Sequence, residues 1–223
     1  FKNIDVKKMC LKTDGEEFYF KALILALGAE PAKLGLPKED QLTGKGISYC
    51  ATCDGAFFRD QKVAVIGGGN TALEEALFLT NFASKVYLIH RRDHFRGEKY
   101  LQEKVIKNPK IQMILSTIPV EILGDNELNG LKVKNLKDEN EYILDVTGVF
   151  IFVGYRPKTE NLKGILELTE QGYIKVDKYL RTSVPFIFAC GDCIDKPYKQ
   201  VASAVGDGCV AGMSAVNYIE GNL

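Results

Sequence analysis

The chain lacks an excess of charge of either sign. Its 223 residues include 29 Lys+Arg and 29 Asp+Glu, for a formal net charge of zero at pH 7. Without a basic surplus there is no general field to hold a nucleic-acid backbone or an anionic bilayer. Long apolar runs are also missing, because the strongest, 22–27 and 149–153, fall far short of the ~20 residues that span a membrane. No stretch resembles a signal peptide, so the sequence predicts a soluble, cytoplasmic protein.

Cysteine is scarce as well. Six cysteines in 223 residues are too few for a disulfide scaffold. Four of them form two pairs with two residues between the cysteines, Cys50/Cys53 and Cys190/Cys193. In a cytoplasmic protein this spacing indicates redox chemistry or metal binding. The chain also begins with Phe1 rather than Met, which predicts that it is a piece of a longer protein.

Apolar strands alternate with helical patterns along the chain, which predicts an α/β fold with parallel strands. Residues 62–66 read as a buried strand, residues 71–83 as a helix and residues 85–89 as the next strand, which together form a βαβ unit. A helix is expected near residues 97–107. Short strands separated by turn signals predict an antiparallel meander over residues 111–145.

Two segments resemble each other and suggest where one domain is inserted into another. Ala22–Pro31 and Gly148–Pro157 both run from an apolar strand into Gly-x-x-Pro, which is a natural exit from a sheet. We therefore expect residues 32–156 to form an inserted domain and residues 1–31 and 157–223 to form its host. The alternative is that the two strand ends are unrelated.

A glycine-rich turn follows the strand at residues 62–66. Gly67-Gly-Gly69-Asn-Thr-Ala72 fits the pattern G-x-G-x-x-A, in which the first glycine permits a tight turn and the second admits a pyrophosphate close to the backbone. The helix N-terminus then faces the phosphates. Gly67, Gly69, Asn70, Thr71 and Ala72 are the candidate nucleotide-binding residues. The alternative is a glycine-rich turn that binds nothing.

The second strand of the βαβ unit ends in a basic segment. An NADH site would have an acidic residue there for the ribose 2′-hydroxyl. Instead His90, Arg91 and Arg92 follow the strand, with Arg96 close behind. Guanidinium groups suit a 2′-phosphate, so the segment predicts a preference for NADPH, with a solvated basic turn as the alternative. Neither His90 nor His94 has the neighbours that would make it a catalyst.

The two cysteine pairs have different surroundings. Cys50 and Cys53 precede the nucleotide strand and are followed by Asp54, so a thiolate here could attack another protein's disulfide while the carboxylate relays a proton. Cys190 and Cys193 end an apolar strand and are expected to fill the core. A zinc site that uses all four sulfurs is the less favoured alternative.

These motifs together resemble a known family. Cys50-Ala-Thr-Cys-Asp-Gly55, the glycine turn continued to Glu75, His90-Arg-Arg-Asp93 with Arg96, and Gly191-Asp192 closely resemble the low-molecular-weight bacterial thioredoxin reductases, in class II of the pyridine nucleotide-disulfide oxidoreductases. The resemblance implies two Rossmann-like three-layer domains, a homodimer, and electron flow from NADPH through FAD to thioredoxin. It also implies that Cys50 and Cys53 form the redox disulfide, that Asp54 donates the proton, and that the arginines hold the 2′-phosphate.

The same resemblance implies flavin-binding residues near the C-terminus. Phe188-Ala-Cys-Gly191-Asp192 matches the family's second flavin motif. Lys199, Gln200 and Val201 resemble an Arg-Gln-Ala segment beside the flavin ring. A helix over 201–220 would direct its positive end at the flavin. Gly154, in the second Gly-x-x-Pro exit, completes the candidate cofactor-binding residues.

One part of the family pattern has no counterpart here. The family begins with a strand, a G-x-G-x-x-G turn and a helix that hold the ADP half of FAD, and residues 1–21 resemble none of these. We therefore expect an incomplete FAD domain and weak FAD binding by the 223-residue chain. Two alternative functions stay open, a peroxiredoxin-reducing flavoprotein with an added N-terminal redox domain, and a nucleotide-binding or partner-binding module without turnover.

Overall fold

The computed structural model describes residues 1–222 and divides the chain into two compact units. The inserted unit is Pro31–Gly154. The split unit contains Phe1–Glu30 and the chain from Tyr155 onward. The predicted assignment of one nucleotide to each part of the chain stays a prediction, because this division is a property of the fold alone.

The described residues form fifteen strands and five α-helices. The strands are β1 (Asn3–Asp5), β2 (Cys10–Lys12), β3 (Glu17–Tyr19), β4 (Leu23–Leu25), β5 (Ala29–Pro31), β6 (Ile47–Ser48), β7 (Lys62–Ile66), β8 (Lys85–Ile89), β9 (Ile111–Ile114), β10 (Thr117–Leu123), β11 (Gly130–Asn135), β12 (Glu141–Leu144), β13 (Gly148–Ile151), β14 (Tyr155–Pro157) and β15 (Ile187–Ala189). The helices are α1 (Glu39–Leu42), α2 (Ala51–Asp54), α3 (Asn70–Leu79), α4 (Lys99–Lys107) and α5 (Val201–Ile219). None of the helices within residues 1–222 combines the length and apolar character needed to cross a membrane.

A five-stranded parallel sheet forms the centre of the inserted unit. Its strand order is β6-β13-β7-β8-β9, and every neighbouring pair is parallel. Alternate residues of β7 enter two different cores: Val63 and Val65 pack with α3 and α4, whereas Ala64 and Ile66 pack toward the antiparallel strands β10–β12. A parallel strand buried on both faces reads as a continuous apolar run, which is the pattern in this sequence. The predicted α/β class is confirmed.

Two details of the inserted unit differ from the sequence-based predictions. The predicted meander begins only at β10, because Ile111–Ile114 instead pairs parallel with β8. A crossover helix, here α4, returns the chain parallel to the strand it left, and a four-residue strand carries no local mark of that choice. The helix predicted over 71–83 ends at Leu79, because the N–H groups of Thr80, Asn81 and Phe82 bond three residues back in a tighter turn.

The split unit is built around the parallel pair β4 and β15, beside an antiparallel sheet of β1–β3. Helix α5 contacts this pair, and its buried Ala211 and Ala215 join a core that contains Ile187 and Phe188. Strands β5 and β14 pair with each other. The two Gly-x-x-Pro exits are therefore neighbours in space.

A buried carboxylate fixes the loop at the start of the inserted unit. Glu39 is 2% exposed, and its side chain accepts hydrogen bonds from the N–H groups of Leu34 (2.9 Å) and Gly35 (2.8 Å) and from the Tyr49 hydroxyl (2.8 Å). Burial and the hydrogen bond to Glu39 raise the pKa of Tyr49. Because Tyr49 precedes Cys50, this network anchors the chain that leads into the cysteine pair.

We expect Glu39→Ala to lower the free energy of unfolding by about 3 kcal/mol, because it leaves several buried donors without an acceptor. Urea denaturation followed by circular dichroism measures the change. The matched control is Glu103→Ala, an exposed acidic residue on α4 of the same unit, with an expected change within about 0.5 kcal/mol. Equal stability of the Glu39 and Glu103 variants would contradict this role of Glu39.

Candidate redox and nucleotide site

Cys50 and Cys53 form a disulfide across one helical turn. Their Cα atoms lie 5.3 Å apart, and Cys50 immediately precedes α2. The Cys53 N–H donates to Cys50 Sγ at 3.2 Å, and Thr52 Oγ1 lies 3.3 Å from the same sulfur. Cys53 is exposed and Cys50 is half-buried. The structure therefore pairs the two cysteines that the sequence analysis selected and places them at the surface of the inserted unit.

Asp54, the predicted proton donor, is held by a serine that the sequence analysis did not select. Asp54 ends α2, and its Oδ2 lies 2.6 Å from Ser48 Oγ. The Cys50 N–H donates to the same serine oxygen at 3.1 Å. Ser48 is 4% exposed. Its strand, β6, is only two residues long, so no periodic pattern could identify it as a buried position; the available signal was a hydroxyl two residues before Cys50.

Glu75 connects α3, the helix that follows the glycine turn, to the redox turn, which is the segment 50–54 that carries the two cysteines. The sequence-based predictions did not include Glu75. It lies on α3, and the N–H groups of Ala51 and Thr52 bond its carboxylate. Its Oε2 is buried and has no hydrogen-bond partner within residues 1–222. Burial, followed by the charge of Glu74, raises the pKa of Glu75, and the two N–H groups oppose that rise. A charged residue at helical spacing among Ala72, Ala76 and Leu79 was the signal that could have found it.

The glycine turn leaves open space at the N-terminus of α3. A Cβ atom at Gly67 would lie 2.5 Å from the Phe152 carbonyl oxygen and 2.6 Å from Ala72 Cβ, so this glycine is required by packing. A Cβ atom at Gly69 would meet nothing within 4 Å. Asn70 and Thr71 are exposed at the helix start, and Ala72 is buried beneath the turn. The turn therefore offers N–H groups beside an empty volume, which suits a phosphate group.

The basic segment packs directly on this turn. The N–H groups of Arg96 and Gly97 donate to the Gly68 carbonyl oxygen at 2.7 Å and 3.2 Å. The Glu98 N–H donates to Asn70 Oδ1 at 2.8 Å. The structure therefore brings Arg96 to the glycine turn, as the nucleotide hypothesis requires.

The basic segment carries three guanidinium groups and one imidazole. Arg91, Arg92 and Arg96 are exposed, and within the described part of the chain none of them forms an ion pair with an acidic residue. His90 is buried against Gly68, where a Cβ atom would collide with its ring. Burial is the largest cause that lowers the pKa of His90, and the positive charges of the three arginines lower it further. The three guanidinium groups thus present positive charge without an ion-pair partner among residues 1–222.

The predicted flavin-side residues lie together in the split unit. Gly191 has φ +75°, and Asp192 follows it in a short 3-10 helix, Gly191–Cys193, that comes after β15. Asp192 Oδ1 is buried without a hydrogen bond in residues 1–222, although Lys196 Nζ lies 3.5 Å away in an ion pair. Lys196 Nζ is closer to Asp207 Oδ2, at 2.7 Å. Asp192 Oδ1 therefore has Lys196 as a charge partner but no hydrogen-bond donor, and a carboxylate oxygen can accept from a hydroxyl group such as those of a flavin's ribityl chain.

The other three flavin-side candidates lie where α5 begins. Gln200 is the N-cap and forms a capping box with Ser203, while Val201 is 82% exposed in the first turn. Lys199 Nζ lies 4.2 Å from the centroid of the Tyr173 ring. Burial lowers the pKa of Lys199, and the charge of Asp192 partly opposes this. The helix spans Val201–Ile219, close to the predicted 201–220.

Gly154 lies outside these clusters, whereas the second cysteine pair directly flanks Gly191 and Asp192. Gly154 is exposed at the end of the inserted unit with φ +120°, and its carbonyl oxygen accepts from the Ala32 N–H at 2.8 Å. Cys190 and Cys193 are buried free thiols of the split unit, and burial raises the pKa of both. Residues 1–222 contain no group of three or more His, Cys, Asp or Glu side chains arranged to hold a metal ion.

Known proteins resemble the whole described chain. A family profile for the pyridine nucleotide-disulphide oxidoreductases matches residues 2–208. A thioredoxin reductase of Streptomyces coelicolor is 46% identical over 95% of this chain and 66% of its own length. The corresponding protein of Peptoclostridium acidaminophilum is 43% identical over 99% of this chain and 72% of its own. The chain thus spans about two thirds of the length of these relatives.

Solved structures agree with the sequence comparisons. The crystal structure of thioredoxin reductase from Streptococcus pyogenes has a TM-score of 0.89 at 41% identity, covering 95% of this chain and 70% of that one. Thioredoxin reductase from Giardia duodenalis has a TM-score of 0.91 at 36% identity, covering 98% and 74%. With the disulfide, the glycine turn and the basic segment all in the predicted elements, the chain belongs to the pyridine nucleotide-disulphide oxidoreductase family, among the thioredoxin reductases.

Proposed function

We propose that this chain provides the NADPH-binding and disulfide-carrying part of a flavoprotein that reduces thioredoxin. The observation that carries the proposal is the position of the redox turn beside the nucleotide helix. Helix α2, which begins directly after Cys50 and contains Cys53, contacts α3, and Glu75 of α3 bonds to the N–H groups at the start of α2. The disulfide and the glycine turn therefore lie on neighbouring helices of the inserted unit.

NADPH would be held through its phosphates. The N-terminus of α3 and the open volume at Gly69 suit the pyrophosphate, because helix N–H groups and the helix dipole favour negative charge. Arg91, Arg92 and Arg96 suit the 2′-phosphate, because each guanidinium can form paired charged hydrogen bonds. His90, kept neutral by burial, supports the turn from beneath without requiring a charged partner of its own.

FAD would be held at the residues where α5 begins and at Asp192. The Asp192 oxygen that has no hydrogen-bond donor suits a ribityl hydroxyl, and the N-terminus of the 19-residue helix α5 suits a ring that gains negative charge on reduction. Bound FAD would supply the chemistry that connects a two-electron hydride donor to a disulfide. Residues 1–20 contribute β1–β3 to the split unit. Weak FAD binding by the 223-residue chain stays a prediction.

The protein's own side chains would carry out the thiol chemistry. Reduction breaks the Cys50–Cys53 bond, and Asp54 supplies a proton to a sulfur that would otherwise remain a thiolate. A thiolate of the pair then attacks the disulfide of thioredoxin, and the second thiol resolves the mixed disulfide. The resemblance assigns the attack to Cys50. The exposed position of Cys53 and the half-buried position of Cys50 leave both sulfurs near the surface of the inserted unit.

Thioredoxin as the substrate, a homodimer and a cytoplasmic location all belong to this proposal. The relatives named above support thioredoxin over the two alternatives, since each bears the name thioredoxin reductase. A peroxiredoxin-reducing flavoprotein and a module without turnover have no comparable observation in their favour.

The test is a turnover assay with FAD supplied. Protein loaded with FAD is mixed with NADPH and oxidised thioredoxin, and the consumption of NADPH and the appearance of thioredoxin thiols are followed together. We expect one NADPH consumed for each disulfide reduced. A flavin-loaded protein that oxidises NADPH without producing thioredoxin thiols would contradict the proposed substrate.

Two glycines of the nucleotide turn should separate folding from binding. Gly69→Ala adds a methyl group into open space at an ordinary backbone conformation, so the fold should be unchanged while the affinity for NADPH falls at least tenfold by steric exclusion of the pyrophosphate. Gly67→Ala places its methyl group against the Phe152 carbonyl and should lower the melting temperature itself. Calorimetric titration and thermal unfolding measure the two effects. Unaltered NADPH affinity in Gly69→Ala would exclude this turn as the phosphate site.

A further inference from the structure

Ser48 is a buried residue that contacts both the proposed proton donor, Asp54, and the main chain of Cys50. Its hydroxyl oxygen lies 2.6 Å from Asp54 Oδ2, 3.1 Å from the Cys50 nitrogen and 3.2 Å from the Cys50 carbonyl oxygen. The main chain at Ser48 is fixed by the parallel pairing of β6 with β13, where Ser48 lies opposite Phe150. The Ser48 hydroxyl is therefore held in a fixed position, where it is hydrogen-bonded to both the Cys50 main chain and the Asp54 carboxyl group.

The cluster formed by the Ser48 hydroxyl, the Asp54 carboxyl group and the Cys50 main chain can form different hydrogen bonds when Asp54 is ionised and when it is protonated. A hydroxyl has one hydrogen and two lone pairs. When Asp54 is ionised, Ser48 donates to Asp54 and accepts from the Cys50 N–H, and its contact with the Cys50 carbonyl contains no hydrogen. When Asp54 is protonated, Asp54 can donate to Ser48, and Ser48 can turn its own hydrogen to the Cys50 carbonyl. All three contacts are then hydrogen bonds, so the cluster accommodates Asp54 with or without its proton.

We propose that Ser48 is a positioning residue for reduction of the Cys50–Cys53 disulfide, holding Asp54 at the redox turn in both of its protonation states. The proposal rests on the proposed function, which gives Asp54 the role of proton donor. Reduction by a dithiol breaks the protein S–S bond and forms a new one in the reductant, with two electrons and two protons passing to the protein sulfurs. Asp54 delivers one of these two protons to the departing sulfur, Ser48 donates to the carboxylate that remains, and a proton released by the reductant's thiols restores the Asp54 carboxyl group.

The test uses a small dithiol, dithiothreitol, so that neither FAD nor NADPH is needed. The rate of reduction of the disulfide is followed by alkylation of the released thiols and mass spectrometry in the full chain. We expect Ser48→Ala to slow reduction about tenfold, since general acid catalysis by a positioned group contributes at least that much. Ser48→Thr should reduce within about twofold of the unaltered protein, because it keeps the hydroxyl. Ser48→Val, which has the shape of threonine without the hydroxyl, should be as slow as Ser48→Ala.

A double-mutant cycle with Asp54→Asn separates positioning from packing. If Ser48 acts through Asp54, Ser48→Ala should change the rate less than about twofold once Asp54 is Asn. If Ser48→Ala slowed the Asp54→Asn protein by the same factor as the unaltered protein, the proposal would be overturned. A normal rate for Ser48→Val would also overturn it. Should Ser48→Ala fail to fold, the shape-matched threonine and valine variants decide the question alone.

The matched control is Ser214→Ala, a serine of α5 that is equally buried at 4% exposed and lies in the split unit. It should reduce at the unaltered rate. If Asp54→Asn is reduced slowly and Ser48→Val at the unaltered rate, only the proposed role of Ser48 is refuted. If the turnover assay shows no thioredoxin reduction, the proposed function is refuted, and the rates measured with dithiothreitol are unaffected.

Discussion

Replacement of either Cys50 or Cys53 by serine should abolish thioredoxin reduction by the flavin-loaded protein. The two sulfurs form one disulfide, and thiol exchange passes through a mixed disulfide that a second thiol must resolve. A single remaining thiol can form the mixed disulfide but cannot complete the reaction. We expect turnover to fall at least 1000-fold by this all-or-none argument, measured as NADPH consumed with oxidised thioredoxin in excess.

Two measurements make this prediction specific to the chosen pair. The affinity for NADPH should change less than about threefold in both serine variants, because the nucleotide turn is separate from the sulfurs and packs with the 90–98 segment. Joint replacement of Cys190 and Cys193 by alanine should leave turnover largely intact, because both thiols are buried in the split-unit core. Lost turnover in the Cys190/Cys193 variant, with Cys50 and Cys53 unaltered, would show that the wrong pair had been chosen.

The second large effect concerns the choice between NADPH and NADH. Arg91→Ala and Arg92→Ala together should weaken NADPH binding at least tenfold, because each charged hydrogen bond contributes about 1.5–3 kcal/mol. NADH lacks the 2′-phosphate, so its affinity should change less than about threefold. The unaltered protein should prefer NADPH by at least tenfold, and the double variant should lose most of that preference. Calorimetric titration of both nucleotides measures it.

A charge-matched control separates specific contacts from the general field. The double variant Lys104→Ala/Lys107→Ala also removes two positive charges, but from α4 of the inserted unit. That variant should keep the preference for NADPH over NADH, and raising the salt concentration should change this preference little. If NADPH and NADH bound the unaltered protein equally, the arginines would be a solvated basic turn and the predicted cofactor would be wrong.

Sequence alone was sufficient where the signal is local. Strands β7 and β8 begin and end at the predicted residues, because in each a lysine is followed by four apolar residues, and the run ends at Gly67 after β7 and at the polar His90 after β8. The glycine turn requires unusual backbone freedom and close packing, which only glycine provides at Gly67. The Cys50/Cys53 pairing followed from a spacing that allows a small ring, together with the family resemblance.

Tertiary structure decided what depends on residues distant in sequence. The parallel partner of β9 follows from packing that a single strand does not encode. Ser48 and Glu75 gained their positions at the redox turn because strand pairing and helix packing bring them to it, and burial then makes each of their hydrogen bonds costly to lose. The sequence by itself determined which chemical groups are present, and only the fold determined which of them meet, because contact and burial are properties of the assembled chain.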